Sequence, residues 1–257
     1  MPPQLRALIF DVDGTLAETE ESHRQAFNLA FAEAGLNWFW DQGVYRNLLK
    51  ITGGKERIKA FCQLTGFKEN SDDARIFADA LHRRKTRIFE DMVDRGCISL
   101  RPGIRELVEA ARGAGLRLAI ATTTTLSNIE ALVRVTLGPD SLTYFDVIAA
   151  GDCVKAKKPA PDVYLTVLKK LQLSPADCLA LEDSENGVLA SIAASVPVLV
   201  TVSSYSRDDR FDGALKVVDD LLMVCEGLVP QNGQSDIGLR ILQSLRQIHE
   251  RGIDRKH

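Results

Sequence analysis

Asp11 and Asp13 stand two positions apart, directly after an apolar run at 7–10 and directly before Gly14 and Thr15. Side chains on extended backbone alternate with period two, so the two carboxylates can face one side. Gly14 permits a turn that leaves both exposed at the end of a strand. One carboxylate could then attack an electrophile while the other donates or accepts its proton, the division that covalent catalysis needs. Taken alone, the pair reads as an acidic turn that ends a strand before it reads as a catalytic pair.

Three further groups have the same character. Thr122, Thr123, Thr124 and Thr125 follow an apolar run at 116–121, where hydroxyls and amides at a helix entrance form a cradle for an anion, or simply a helix cap. Lys158 precedes Pro159, which favours an extended conformation for the lysine and so defines where its ammonium sits. Glu182 and Asp183 follow an apolar run at 178–181 and suit Mg²⁺, which takes one or two carboxylates, waters and a substrate phosphate. They equally suit the positive end of a helix dipole.

The elements that must hold these groups are legible. Short apolar runs at 7–10, 116–121, 145–149, 178–181 and 198–202, with a weaker one at 216–218, alternate with helical patterns at 103–114, 127–137, 161–171 and 185–195. Continuous apolar strands between helices predict an α/β fold with a Rossmann-like parallel sheet covered on both faces. The rhythm breaks between the first two strands, where helical patterns at 20–34, 41–49, 55–64 and 72–94 fill the gap and Ser71 is placed to cap the last. The expected division is a catalytic core of 1–17 and 98–257 and an inserted α-helical cap domain of 18–97, with Arg101-Pro102-Gly103 as the returning hinge. Apolar spacing over 235–248 predicts a terminal helix packed on the core rather than on a partner.

Each of the four groups falls at the C-terminal end of a different predicted strand, where open α/β sheets bind ligands. Asp11, Asp13, Glu182 and Asp183 beside a phosphate dianion would repel one another strongly in a low-dielectric site. A divalent cation and Lys158 make the same cluster coherent, so the chemistry predicted is phosphoryl transfer assisted by a metal.

Asp-Val-Asp-Gly-Thr, the threonine-ended second strand, Lys-Pro-Ala-Pro-Asp at 158–162 and Glu-Asp-Ser at 182–184 resemble the four motifs of the haloacid dehalogenase (HAD) superfamily. The resemblance runs from about residue 5 to 202. It implies a HAD-like core in which Asp11 is the nucleophile that forms an aspartyl-phosphate and Asp13 is the general acid and base. It also implies that Thr122, or its neighbour Thr123, and Lys158 hold the phosphoryl group. Asp11, Asp13 through its carbonyl, Glu182 and Asp183 would hold Mg²⁺. The helical insertion resembles the cap of the subfamily that contains β-phosphoglucomutase and phosphoglycolate phosphatase.

The segments 16–23, 38–41 and 52–57 further resemble the CbbY-type phosphatases associated with the Calvin cycle, which dephosphorylate xylulose 1,5-bisphosphate. Thr52, Gly53, Gly54, Lys55 and Arg57 combine exposed amides with cations that could grip a second phosphate. Glu20 and His23 lie just past the catalytic loop, within reach of sugar hydroxyls or of Asp13. Tyr45, Arg46, His82, Arg84 and Lys85 read as solvated helix faces before they read as cavity walls, and Trp38, Phe39 and Trp40 as cap core before a sugar platform. A phosphosugar mutase, or a phosphatase for a small monoester such as phosphoglycolate, are the competing activities.

The composition excludes other classes. A net charge of −3 over 257 residues offers no basic stripe for nucleic acid, and no apolar run approaches the ~20 residues of a membrane span. Five scattered cysteines without a CxxC pair fit reduced thiols, and the apolar run at 7–10 is too short for a signal peptide. The expectation is a cytoplasmic monomer whose partner is a small sugar phosphate.

Overall fold

The computed structural model describes residues 4–67, 71–225 and 236–254. Among these, one parallel sheet is built from β1 (Ala7–Phe10), β2 (Arg117–Ala121), β3 (Val147–Ala149), β4 (Cys178–Glu182), β5 (Val198–Thr201) and β6 (Lys216–Val218), in the order β3-β2-β1-β4-β5-β6. The chain steps outward from β1 to β3, then crosses back to lay β4 on the other side of β1. The crevice of such a sheet opens where the direction reverses, at β1 and β4. Phe10 is level with Ile120 and with Leu181, so the residues that follow β1, β2 and β4 emerge side by side.

Period two sorts the strand side chains into two layers. Leu8, Phe10, Leu118, Ile120, Leu179 and Leu181 face one core, closed by α5 (Ile104–Gly113), α6 (Leu126–Leu137) and α9 (Ile237–Asp254). Ala7, Ile9, Ala119, Ala121, Cys178 and Ala180 face the other, where small side chains let α7 (Asp162–Leu171) and α8 (Glu185–Ala193) pack close. The predicted strands fall within one or two residues of the observed ones. The widest offset is at Phe145, which precedes β3 and packs edge to face with Phe10. On α9, Ile241, Leu242 and Leu245 are buried against the core, as its spacing predicts. Ser235, in the predicted range, lies outside the described residues.

Between β1 and α5 the chain forms α1 (Glu20–Glu33), α2 (Gln42–Leu49), α3 (Gly54–Leu64) and α4 (Ser71–Asp94). Asp41 caps α2 by accepting a hydrogen bond from the Val44 amide at 2.7 Å. The cap expected from the Ser71 side chain lies outside the described side chains. These helices hold a separate apolar cluster around Phe27, Phe31, Trp40, Tyr45 and Ile58. Trp38 lies at its margin between the edges of Phe61, Phe67 and Phe77. Phe39 corrects the expectation of a three-residue core run: it is 70% exposed, because extended backbone between two inward tryptophans turns it outward. No helix among the described residues is long and apolar enough to cross a membrane.

Candidate active site

Asp11 leaves β1 with its amide still bonded to the Leu181 carbonyl at 3.0 Å, which ties it to the end of β4. Its Oδ1 lies 2.6 Å from Lys158 Nζ, and the same ammonium lies 2.6 Å from Glu182 Oε1. Asp11, Glu182 and Asp183 are all buried, and each offers one carboxylate oxygen within 4.8 Å of the others. Burial pushes the Asp11 carboxyl up to about 8, against the pull of Lys158 and with the help of Glu182. Burial and Asp11 raise Asp183. For Lys158, burial opposes the charge, but Asp11 and Glu182 outweigh it and raise the ammonium above its ordinary value.

Gly14 closes the turn with φ +83°, and a Cβ there would overlap the Asp183 carboxylate. The turn therefore needs glycine on two counts, backbone conformation and space. The donor set suits a hard divalent cation: all three side chains offer oxygen, and Glu182 Oε2 is buried without a hydrogen-bond partner. Crowded buried carboxylates with raised proton affinity are what a bound cation would relieve.

Asp13 faces a different set of partners. Its Oδ1 accepts from Thr19 Oγ1 at 2.6 Å and lies 2.9 Å from His23 Nε2. Burial would raise its pKa, but His23 and Thr19 outweigh that and hold the carboxyl well below the ordinary range. His23 stacks on Phe89, with ring centroids 3.9 Å apart, and its Nδ1 lies 2.6 Å from Lys85 Nζ.

These groups open on a cavity of about 670 Å³ between the sheet and the inserted helices. Among the expected residues, Asp11, Asp13, Thr122, Thr123, Lys158 and Asp183 form its floor. Glu20, His23, Thr52, Gly53, Gly54, Lys55 and Arg57 line it from the side of the inserted helices, with His23 reaching Asp13. Glu182 does not line it; it lies fully buried behind Lys158. Thr122 is buried and its Oγ1 accepts from the Thr124 amide at 3.3 Å, while Thr125 caps α6.

On that side Arg57 Nε donates to the Ile51 carbonyl at 2.9 Å, and its guanidinium lies over the Tyr45 ring. The Tyr45 hydroxyl donates to Glu20 Oε2 at 2.7 Å. Lys55 Nζ is 3.9 Å from Asp79, a half-exposed and loose pair. The ring of His82 packs against Gly54, where a Cβ would stand 2.6 Å from His82 Nε2.

Three expectations of solvated helix faces are corrected. Tyr45, His82 and Lys85 are buried, and the last two line the cavity. Tyr45 turns to Glu20, Lys85 to His23 and His82 to Gly54 rather than to water. Arg46 is half-exposed yet reaches the cavity rim, and Arg84 pairs with Glu33 at 3.5 Å away from the cavity.

Several site residues lay outside the sequence reading. Tyr164, in the first turn of α7, donates to Glu182 Oε1 and is fully buried. Lys157 pairs with Glu56 at 3.0 Å, and Asn186 Nδ2 donates to Thr52 Oγ1 at 3.1 Å, so two sheet loops touch the inserted helices. Ser203 lines the cavity after β5, close to Gly14 and the Asp183 carboxylate, and its hydroxyl lies 2.9 Å from that of Ser206. The signal for Lys157 and Asn186 was adjacency to Lys158 and Asp183; Tyr164 and Ser203 carried none.

Comparison with known proteins agrees with this geometry. The family model of the haloacid dehalogenase-like hydrolases matches residues 5–195. The chain is 49% identical over 228 residues to protein CbbY of Rhodobacter capsulatus, covering 89% of this chain and 99% of that protein. The crystal structure of CbbY from Rhodobacter sphaeroides in complex with phosphate is similar at a TM-score of 0.78 and 48% identity, covering 84% of this chain and 94% of that one. An Asp-to-Asn variant of that protein, solved with xylulose 1,5-bisphosphate, is similar at 0.79 and 47%, with the same coverage. The chain belongs to the haloacid dehalogenase-like hydrolases and is a phosphoric monoester hydrolase of the CbbY type.

Proposed function

We propose that this phosphatase hydrolyses a sugar bisphosphate, xylulose 1,5-bisphosphate ahead of others, through an aspartyl-phosphate on Asp11 with Mg²⁺ as cofactor. The observation that carries the reading is one cavity lined by two separate sets of groups fit for an anion. Asp11 and Lys158 come from the sheet, while Lys55, Arg57 and the Gly53-Gly54 backbone come from the inserted helices. A substrate with a single phosphate would leave one of these sets unmet. The relative solved with xylulose 1,5-bisphosphate supports the choice of sugar.

Asp11, Glu182, Asp183 and the Asp13 carbonyl would hold the metal. When bound, Mg²⁺ offsets the repulsion between the nucleophile and the phosphate dianion. Lys158, Thr122 and Thr123 hold the transferring phosphoryl group over Asp11 Oδ, which attacks phosphorus. Asp13 gives its proton to the leaving sugar oxygen and then takes one from the water that cleaves the acyl phosphate. Asp13 is held ionised in the free protein, and the incoming dianion beside it raises its affinity for the proton it must deliver. Glu20 faces the sugar, His23 holds the Asp13 carboxylate, and Thr52 to Arg57 face the second phosphate.

In this reading 1–17 and 98–257 form the catalytic core and 18–97 the cap, a division supported by the separate apolar cluster of the inserted helices. The protein acts as a cytoplasmic monomer on a small molecule, with neither nucleic acid nor membrane as partner.

The test is phosphate release from a panel of sugar mono- and bisphosphates, with and without Mg²⁺, using Asp11→Asn as the blank. The expected result is Mg²⁺-dependent turnover of xylulose 1,5-bisphosphate that exceeds every monophosphate. Turnover confined to monophosphates would overturn the two-phosphate reading, and an isomeric sugar phosphate without free phosphate would replace hydrolysis by a mutase reaction.

A further inference from the structure

Arg101 stands on the return from the inserted helices to the sheet, just before α5, and its side chain is buried. A buried guanidinium must have its N–H donors met or it costs the fold heavily. Main-chain carbonyls meet most of them. One terminal nitrogen donates to the Gly14 carbonyl and, at 2.9 Å, to that of Thr201. The other donates to the Val202 carbonyl at 2.8 Å and to that of Asp219. Glu18 Oε1 lies 3.7 Å from Nε, and the Arg101 amide itself donates to the Leu16 carbonyl at 2.9 Å. One residue thus joins both passages of chain between sheet and cap to the turn after β1 and to the ends of β5 and β6.

The carbonyls at the C-terminal ends of parallel strands crowd together with few donors of their own. A planar fork of fixed donors can collect them, and the flexible point charge of a lysine cannot. Two of the segments collected pack beside Asp183. The Gly14 backbone packs so close to the Asp183 carboxylate that no Cβ fits between them, and Ser203, which follows Val202, crowds the same point, its Cβ 3.1 Å from where a Cβ on Gly14 would stand. Asp13 immediately precedes Gly14. Arg101 itself does not line the catalytic cavity and opens instead on a shallow cleft beside Pro102 and Thr136.

We infer that Arg101 is a positioning residue for phosphoryl transfer. It fixes the Asp13-Gly14 turn and the Val202-Ser203 segment where they pack beside Asp183, and it ties both to the linkers of the cap. The inference rests on the catalytic reading of Asp13 and Asp183. A clamp that served the fold alone would lower stability and leave the rate per folded molecule unchanged. A clamp that aims Asp13 and Asp183 lowers kcat and leaves KM nearly alone, because it touches no substrate.

The test compares wild type, Arg101→Lys, Arg101→Ala and Ser203→Ala, each assayed well below its own unfolding midpoint and normalised to folded protein. The expected result for Arg101→Lys is a kcat loss of roughly 10–100-fold with KM within about threefold. Arg101→Ala loses more, and added guanidinium ion restores part of its kcat without effect on wild type. Ser203→Ala, which keeps the clamp but removes the hydroxyl that holds this segment to Ser206 beside Asp183, loses kcat per folded molecule in the same sense, and it carries the test if neither arginine variant folds. Wild-type kcat in the folded variants, or a rise in KM at constant kcat, would overturn the inference. A wild-type protein that releases no phosphate would overturn the catalytic reading beneath it, a separate outcome read in the same experiment.

Discussion

Lys85 Nζ lies 2.6 Å from His23 Nδ1, and both side chains are buried. An ammonium has only donors, so Nδ1 must accept and the ring proton sits on Nε2, aimed at Asp13 Oδ1 2.9 Å away. Burial and Lys85 hold His23 below its ordinary value, and its tautomer is set by a residue 62 positions away.

Removing that constraint gives the first prediction. Lys85→Met frees the imidazole to take the other tautomer and is expected to lower kcat by roughly 10–100-fold, the range for a disturbed acid–base group. Burial brings the Lys85 ammonium down to about 7. Wild type should therefore lose activity as pH rises through about 7, when the ammonium is lost, and Lys85→Met should lack this alkaline limb. A pH profile of kcat/KM checks both, and the same limb in the variant would exclude Lys85 as its source.

Gly53 has φ +102°, and a Cβ there would run into the Glu56 carboxylate and stand 2.6 Å from Lys157 Nζ. Gly53→Ala is expected to cost about 1–2 kcal/mol for the backbone conformation and to break the Glu56–Lys157 pair. KM for a bisphosphate should rise about tenfold, while KM for a monophosphate moves little. Equal changes in the two would place the second phosphate elsewhere.

His82 is buried among cations, and burial, followed by Lys85, Lys55 and Lys157, holds its pKa down to about 2. The folded protein therefore refuses a proton that the unfolded chain accepts below about 6.5, so stability falls as pH falls. The slope from this one group is on the order of 1 kcal/mol per pH unit between about pH 6 and 4. His249 adds to it in the same sense, its pKa lowered chiefly by burial. Urea midpoints at pH 7, 6 and 5 should fall more steeply for wild type than for His82→Gln, and identical slopes would show that His82 charges freely in the fold.

Tyr164 reaches Glu182 Oε1 from the opposite side to the cavity, and both residues are fully buried. Burial and Glu182 raise its hydroxyl well above the ordinary value, so it remains a donor at any working pH. Tyr164→Phe keeps the ring and removes only that donor. Mg²⁺ affinity by calorimetry is expected to weaken about tenfold, as is common when a ligand's supporting hydrogen bond is lost. Unchanged affinity would mean that Lys158 alone orients Glu182.

The floor of the site was legible because its chemistry sits where strands end. Period two and apolar runs locate β1, β2 and β4, and each is followed at once by its polar residues, so Asp11, Thr122 and Asp183 needed no knowledge of tertiary contacts. The side of the inserted helices was only half legible. Gly53-Gly54 announces itself by composition, but His82 and Lys85 lie in a 24-residue helix whose polar positions look solvated until the sheet is set against them. Arg101 read as a hinge residue for the same reason. Its partners are main-chain carbonyls up to 118 positions away, and a carbonyl leaves no mark in a sequence.

The central claim is that the phosphoryl group passes to Asp11. Protein quenched in acid during turnover of xylulose 1,5-bisphosphate and reduced with borohydride should carry homoserine at position 11, because reduction converts an acyl phosphate to the alcohol and spares a free carboxylate. Peptide mass spectrometry reads this directly. Homoserine at 11, absent without substrate, is the result the account predicts; steady phosphate release with unmodified aspartate at 11, or with the label on another carboxylate, would contradict it.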